Sequence, residues 1–323
     1  MEQKRERGRL RRAVERFDQL GIVLVLVVLV VVVSFTNSTF YSANNIINVL
    51  RSTSFVFIIG IAVTFVLITG GLDLSVGRVM AMSGILSAMA AQSGMNLGIC
   101  ILAGLAFGFV IGLLNGLLIV KLNIPALIVT LGMMYVCDGL VLIVTMGSPV
   151  YPLPESFKRL GQGTMLGIPN IVVIALVLAV IGAFVLKNTR FGRHVYSIGG
   201  NRETARLVGI NVGFTQVSVY VLSAMASAVA GILMAGRLNS AQPSAGNGYE
   251  MTVVAAVIIG GTSMFGGSGS ILGTLLGSLL MTVIENVLLL MKISAYWQSL
   301  VIGIIIIFAV GLDQYRRKKY GLG

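Results

Sequence analysis

Apolar residues along this chain come in long, nearly unbroken runs, separated by short polar patches rich in Gly, Asn and basic residues. Ten runs have the length of a membrane span, at about 19–36, 46–69, 73–92, 96–120, 124–146, 168–187, 213–236, 250–266, 270–291 and 295–313. A run of about 20 residues matches the thickness of a hydrocarbon core when helical. Lipid offers the backbone no hydrogen-bond partners, so only helices or a closed barrel can cross it. The period-2 alternation that a barrel requires is absent. The pattern predicts an all-α polytopic membrane protein with about ten transmembrane helices. Two connections are long: 147–167, with Pro149, Pro152 and Pro154, and the polar, basic stretch 188–212.

Composition supports this class. Apolar residues make up 56% of the sequence and charged residues 11%, too few of the latter to cover a water-facing surface, where about 25% is usual. The net charge of +12 does not indicate nucleic acid, because the cations lie between spans and at the ends rather than in a basic domain. With the first residues placed in the cytoplasm, 18 of the 23 Lys and Arg face inward and 5 outward. That bias is the positive-inside rule, with Arg78 and Lys121 counted as inner-loop residues. It divides the chain into a cytoplasmic basic segment 1–18, a membrane domain 19–313 and a cytoplasmic basic tail 314–323. Residues 1–33 have the charge and apolar run of a signal peptide but no small-residue cleavage site, so they read as an uncleaved first span. Cys100 and Cys137 both lie in apolar runs and read as buried small hydrophobes.

Catalytic and nucleotide-binding patterns are missing. Gly266-Gly267-Ser268-Gly269-Ser270 is glycine-rich but lacks the lysine of a phosphate-binding loop. His194 is the one histidine, which leaves no His-based metal cluster. Neither a catalytic nor a metal site is expected, nor any cofactor on this chain. Ionisable residues inside spans are costly and therefore informative. Asp138 and Glu285 are the clear cases, and Asn115 and Asn286 add uncharged polarity. These residues suit either a hydrophilic path or interhelical pairing. Gly104, Gly108, Gly112 and Gly116 recur every fourth residue, a stripe for close helix packing. Segments 69–84 and 259–274 share glycines at Gly70/Gly260, Gly71/Gly261 and Gly77/Gly267. Each follows an apolar span, and on this topology those spans, the second and the eighth, both run from outside to inside, in conflict with a simple inverted repeat. The match is either chance or a sign of a re-entrant piece.

The stretch 188–211 predicts a short cytoplasmic helix over about 202–208. Gly199-Gly200 breaks the chain, Asn201 caps, Glu203 sits in the first turn and Gly209 stops the helix. So short a helix needs a docking surface, and Ala205, Leu207 and Val208 among Arg202, Glu203 and Arg206 suit a protein groove.

Four segments carry a family resemblance: GGLDLSVG at 70–77, GSPV at 147–150, FGRHVYSIGGNRETARLVGIN at 191–211, and the run from Arg237 to Thr274 that includes VVAAVIIGGTSMFGGSGSILGT. Through them the chain, from about residue 40 onward, resembles the permease subunits of bacterial ABC importers for ribose and related sugars. The resemblance implies a type II importer fold in the inner membrane and pairing with a second permease copy or a paralogue. It also implies cytoplasmic ATPase subunits that bind the ATP, and a periplasmic sugar-binding protein. It assigns Gly199, Gly200, Asn201, Glu203, Arg206 and Gly209 to ATPase coupling. Asp73, Ser75, Asn115, Asp138, Glu285 and Asn286 become substrate-path candidates, and Gln242, Tyr249 and Glu250 candidates for docking the binding protein. Asp138 stands where that pattern often has arginine, Thr252 where it has aspartate, and Glu285 where it has asparagine. These changes tell against ribose itself and leave another pentose, a hexose, a polyol or a modified sugar. A branched-chain amino acid permease and an ion-coupled carrier using Asp138 and Glu285 are the competing readings.

Overall fold

The computed structural model describes residues 20–35 and 37–320; the basic segment 1–18 lies outside them. The chain forms α1 (Leu20–Phe35), α2 (Ala43–Ile68), α3 (Val76–Gln92), α4 (Leu97–Lys121), α5 (Ala126–Thr145) and α6 (Glu155–Gln162). A two-stranded hairpin follows, β1 (Thr164–Met165) and β2 (Ile168–Pro169). The rest is α7 (Asn170–Asn188), α8 (Arg190–Gly200), α9 (Arg202–Leu207), α10 (Val212–Leu238), α11 (Tyr249–Ile259), α12 (Ile271–Leu290) and α13 (Ala295–Tyr320). The hairpin, with an isolated antiparallel bridge between Val150 and Ala241, departs from a purely helical reading. Among the described residues, six helices, α2, α4, α5, α7, α10 and α12, are long and apolar enough to cross a membrane.

Polar residues at the boundaries set these elements. Side-chain oxygens of Ser42, Asn96, Asn211 and Ser270 accept the backbone N–H three residues on, closing the starts of α2, α4, α10 and α12. Helices α5, α6 and α7 each begin directly after a proline. In its most apolar stretch α2 is 89% buried, against 28% for α4 and α5 and 22% for α7. The most buried of the four is the least apolar, so α2 is the axis of the bundle, while α4, α5 and α7 present apolar faces outward.

Helices α2–α5 and α10–α13 make matching contacts. Helix α3 packs on α10, α4 and α5, and α11 packs on α2, α12 and α13. Helix α4 lies on α10 as α12 lies on α2. Helices α2 and α10 run antiparallel: Arg237 near the end of α10 covers the ring of Phe55, while Tyr220 near its start meets Gly71 beyond the end of α2. The two halves are therefore an inverted repeat, an arrangement common in transporters. Its equivalent joints are 69–75, between α2 and α3, and 239–248, between α10 and α11. The shared glycines of 69–84 and 259–274 are not the repeat, because 259–274 follows the short helix instead of preceding it.

Each joint is a break at depth. Val79 packs with Ala224, and Gly84 abuts Gly231, so α3 and α10 run parallel and α3 starts about halfway along α10. The segment after α10 doubles back along α3: Gln242 lies near Gly84, and Gly246 touches Gly77. Seven helical residues separate those levels, about 10 Å. Helix α11 then starts from inside the bundle and, with 11 residues, is about 16 Å long, half a membrane. The expected span 250–266 is thus a half-helix ending at Ile259, followed by the irregular segment 260–270. Small residues allow these approaches. Gly108, Gly112 and Gly116 face Ala224, Val221 and Val217 of α10, and Gly104 faces Ser87 of α3. On the mirrored contact, Thr53 and Thr64 bond Thr282 and Thr274, both at 2.6 Å.

Candidate substrate path and coupling surface

The stretch 188–211 forms two helices, not one. Thr189 caps α8 by accepting the Gly192 N–H at 3.2 Å. One face of α8, with Gly192, Val195 and Ile198, is buried. Gly199 and Gly200 are the last residues of α8, so they do not break the chain. The break is at Asn201, which is extended and whose side chain accepts the Thr204 N–H at 2.8 Å. This capping fixes α9 at the expected place, and Gly209 is left-handed at φ +82° as a helix stop requires. The two glycines differ: Gly199 is pressed between the Ile68 carbonyl and the Gly267 amide, while Gly200 faces open space. Ala205 is buried with Ile198, Ile210 and Val212. Leu207 and Val208 are 88% and 70% exposed, and Glu203 and Arg206 are exposed beside them. Leu207 and Val208 thus form an exposed apolar pair at the end of a polar, capped helix.

Within the bundle, the first break holds a fully buried polar group. Asp73 Oδ1 accepts from the backbone N–H of Ser75 at 3.0 Å and from its hydroxyl at 2.6 Å. Asn115 of α4 donates to that hydroxyl at 3.0 Å. Ser223 of α10 faces the carboxylate without a well-formed hydrogen bond. Asp73, Ser75 and Asn115 are all 0% exposed. The three path candidates that the structure joins most tightly are thus sealed off. They fold the break around Asp73 as an Asx turn does.

A second group is open. In the first turn of α3, Arg78 pairs with Asp138 of α5 at 3.1 Å, and it donates to the Pro243 carbonyl at 3.3 Å. The Glu250 carboxylate, in the first turn of α11, lies over Gly77 within electrostatic reach of Arg78. The Arg78 and Asp138 side chains keep 17% and 35% exposure. Arg78 is therefore no inner-loop cation: it sits level with Asp138, 12 residues into α5. The positive-inside count misplaces it because it stands beside a break that hydropathy alone reads as a span end. The sequence held one signal for this group. Gly77-Arg78 and Gly248-Tyr249-Glu250 each set a charge within two residues of a glycine at the start of an apolar helix.

Glu285 and Asn286 lie elsewhere. Glu285 accepts from Thr252 at 3.2 Å, and Asn286 exchanges two bonds with Asn45 of α2, at 3.0 and 2.8 Å. Arg237 lies 5.7 Å above the Phe55 ring. Tyr249, between Glu285 and Arg237 in electrostatic terms, is inside the bundle, as is Glu250. Of the docking candidates only Gln242 is exposed, because the segment carrying them turns inward instead of projecting. The end of the bundle opposite α9 is covered by α6 and the hairpin. Phe157 and Gly161 of α6 are buried against α10, and Leu166 at the hairpin tip is 97% exposed. On α6, the ammonium of Lys158 beside Glu155 holds that carboxyl below its ordinary range.

The family model described as "Branched-chain amino acid transport system / permease component" matches residues 45–310. The ribose import permease protein of Bacillus subtilis is 43% identical over 305 residues, covering 94% of each chain. The galactose/methyl galactoside import permease protein of Escherichia coli is 38% identical, covering 93% of this chain and 95% of its own. The L-arabinose ABC transporter permease protein of Azospirillum brasilense is 35% identical, with 94% and 89% covered. No solved structure matches. The chain therefore belongs to this family of multi-pass membrane permeases, transport components rather than enzymes, and along nearly its whole length it is similar to the permeases of sugar ABC importers.

Proposed function

We propose that this protein is the translocating subunit of an ATP-driven monosaccharide importer, with α9 as the surface that receives the ATPase. The observation that carries the reading is the exposed Leu207–Val208 tip of a capped helix anchored firmly in a bundle with two broken spans. In this reading ten segments cross the inner membrane: α1–α5, α7 and α10–α13. Both termini and α9 are cytoplasmic, and α6 with its hairpin faces the periplasm. A periplasmic binding protein delivers the sugar there. A second copy or a paralogue completes the path, and ATP binds to the partner ATPases.

Sugars are recognised by dense hydrogen bonding, and Arg78, Asp138 and Glu250 offer fixed donors and acceptors beside two half-helix starts. We assign the path to this open group. Asp73, Ser75 and Asn115 hold the first break in shape instead. ATP-driven closure of two ATPases would shift two α9 helices and bias the bundle between two packings. An ion-coupled carrier draws less support, because Arg78 already satisfies Asp138 and Thr252 bonds Glu285. Relatives for ribose, galactose and arabinose at comparable identity support a sugar over a branched-chain amino acid without selecting one.

Reconstitution of permease, ATPase and binding protein in proteoliposomes tests the assignment. Uptake is expected to require ATP and to survive an ionophore. Uptake that persists without ATP and collapses with the ionophore would overturn it.

A further inference from the structure

Three segments far apart in sequence meet backbone to backbone beneath α8. The last residue of α2, Ile68, accepts the Gly267 N–H at 2.8 Å. Gly199 of α8 lies so close to both that a Cβ there would overlap the Ile68 carbonyl and the Gly267 amide. Gly266, at φ +92°, is wedged among Gly70, Gly199 and Ile68. Around this core, the Tyr196 hydroxyl of α8 donates to the Gly269 carbonyl at 2.7 Å, and Phe191 of α8 packs on Phe65 of α2 with ring centres 6.2 Å apart.

The position of this knot in the fold gives it meaning. Ile68 leads directly into the first break and thence to α3, whose first turn carries Arg78. Segment 260–270 is the direct continuation of α11, whose first turn carries Glu250. One contact therefore joins the docking element to both half-helices. Without side chains between them, close-packed backbones transmit displacement with little slack. A contact that only anchored α8 could use ordinary side chains, as its Val195 and Ile198 face does.

We propose that the Gly199–Ile68–Gly267 knot, braced by Tyr196, is the positioning contact through which motion of α8–α9 is delivered to α3 and α11 together, and so to the Arg78–Asp138–Glu250 group. This inference rests on the reading of α9 as the ATPase-docking helix. Tyr196 and Gly199 act through other residues and touch neither sugar nor ATPase.

The test is the number of sugars moved per ATP hydrolysed in the reconstituted complex, with co-purification of the ATPase scored separately. Tyr196→Phe removes the hydroxyl that donates to Gly269 and keeps the ring. It is expected to leave ATPase association and basal hydrolysis unchanged while sugars per ATP fall about fivefold, the size of one hydrogen bond lost from one of two packings. Gly199→Ala is expected to abolish uptake with the ATPase still bound. If Gly199→Ala fails to insert, Tyr196→Phe still decides. A wild-type ratio in Tyr196→Phe would overturn the proposal, as would a loss of uptake fully explained by lost ATPase association. Failure of the docking reading is separately visible, as an ATPase that still co-purifies with Leu207→Asp.

Discussion

Asp73 places a carboxyl group where no water reaches, and its contacts are two donors from Ser75 and an approach from Ser223. What the site uses is an acceptor oxygen. Asp73→Asn keeps that oxygen and removes the ionisable group, so its thermal unfolding in detergent should match or exceed wild type. Asp73→Leu strands the Ser75 N–H and should cost about 1–3 kcal/mol; equal stability of the two variants would contradict this role. For Arg78 and Asp138 the charge itself matters. Neutralising either should slow uptake, and a double-mutant cycle on uptake rate should show a coupling of about 0.5–3 kcal/mol, the range for contacting pairs. Additive effects would mean that the pair seen at 3.1 Å plays no joint part in transport. These two groups look alike in sequence, since both are isolated charges in apolar surroundings. Only the fold separates them, by closing α4 and α10 over one and leaving the other at an opening between half-helices.

At the scale of single elements, hydropathy places most helices well because lipid leaves the backbone no alternative to internal bonding. Helix α9 was equally legible, because caps are local chemistry: Asn201, Glu203 and Gly209 act on their own neighbours. Helix α8 was not, because Gly199-Gly200 has the composition of a chain break, whereas both residues are helical and Gly199 serves for close packing against Ile68. The half-helix α11 was hidden for a similar reason. Its apolar residues and those of 260–266 read as one span, and nothing local records that 239–248 turns inward. The glycine stripe of α4 was readable, and its partner was not. Gly112→Leu would place a Cβ about 2.6 Å from the Val221 Cα and should destabilise the bundle by at least about 1–3 kcal/mol. Gly132→Leu on α5, with nothing within 4 Å, should be neutral or mildly stabilising by helix propensity. Matching thermal midpoints for the two would refute the packing assignment. Leu207→Asp should leave insertion intact and release the ATPase in pull-down assays, since Leu207 contributes almost nothing to this chain's own core.

For the whole molecule, the cytoplasmic placement of α9 is open to a simple check. Both native cysteines, Cys100 and Cys137, are buried, so the background for thiol labelling is low. A cysteine at exposed Thr204 should resist membrane-impermeant reagents in intact cells and react in inside-out vesicles; labelling from outside would reverse the topology. The inverted halves have a further consequence. A body built from two copies of one motif, turned head to tail, looks nearly the same from either side of the membrane. Such a bundle has no arrow of its own, and left alone it would let cargo equilibrate in both directions. Apart from α1 and α7, what lies outside the two halves is small: α6 with its hairpin at one end, α8 with α9 at the other. On the importer reading, those few dozen residues are where the molecule stores the difference between uptake and export.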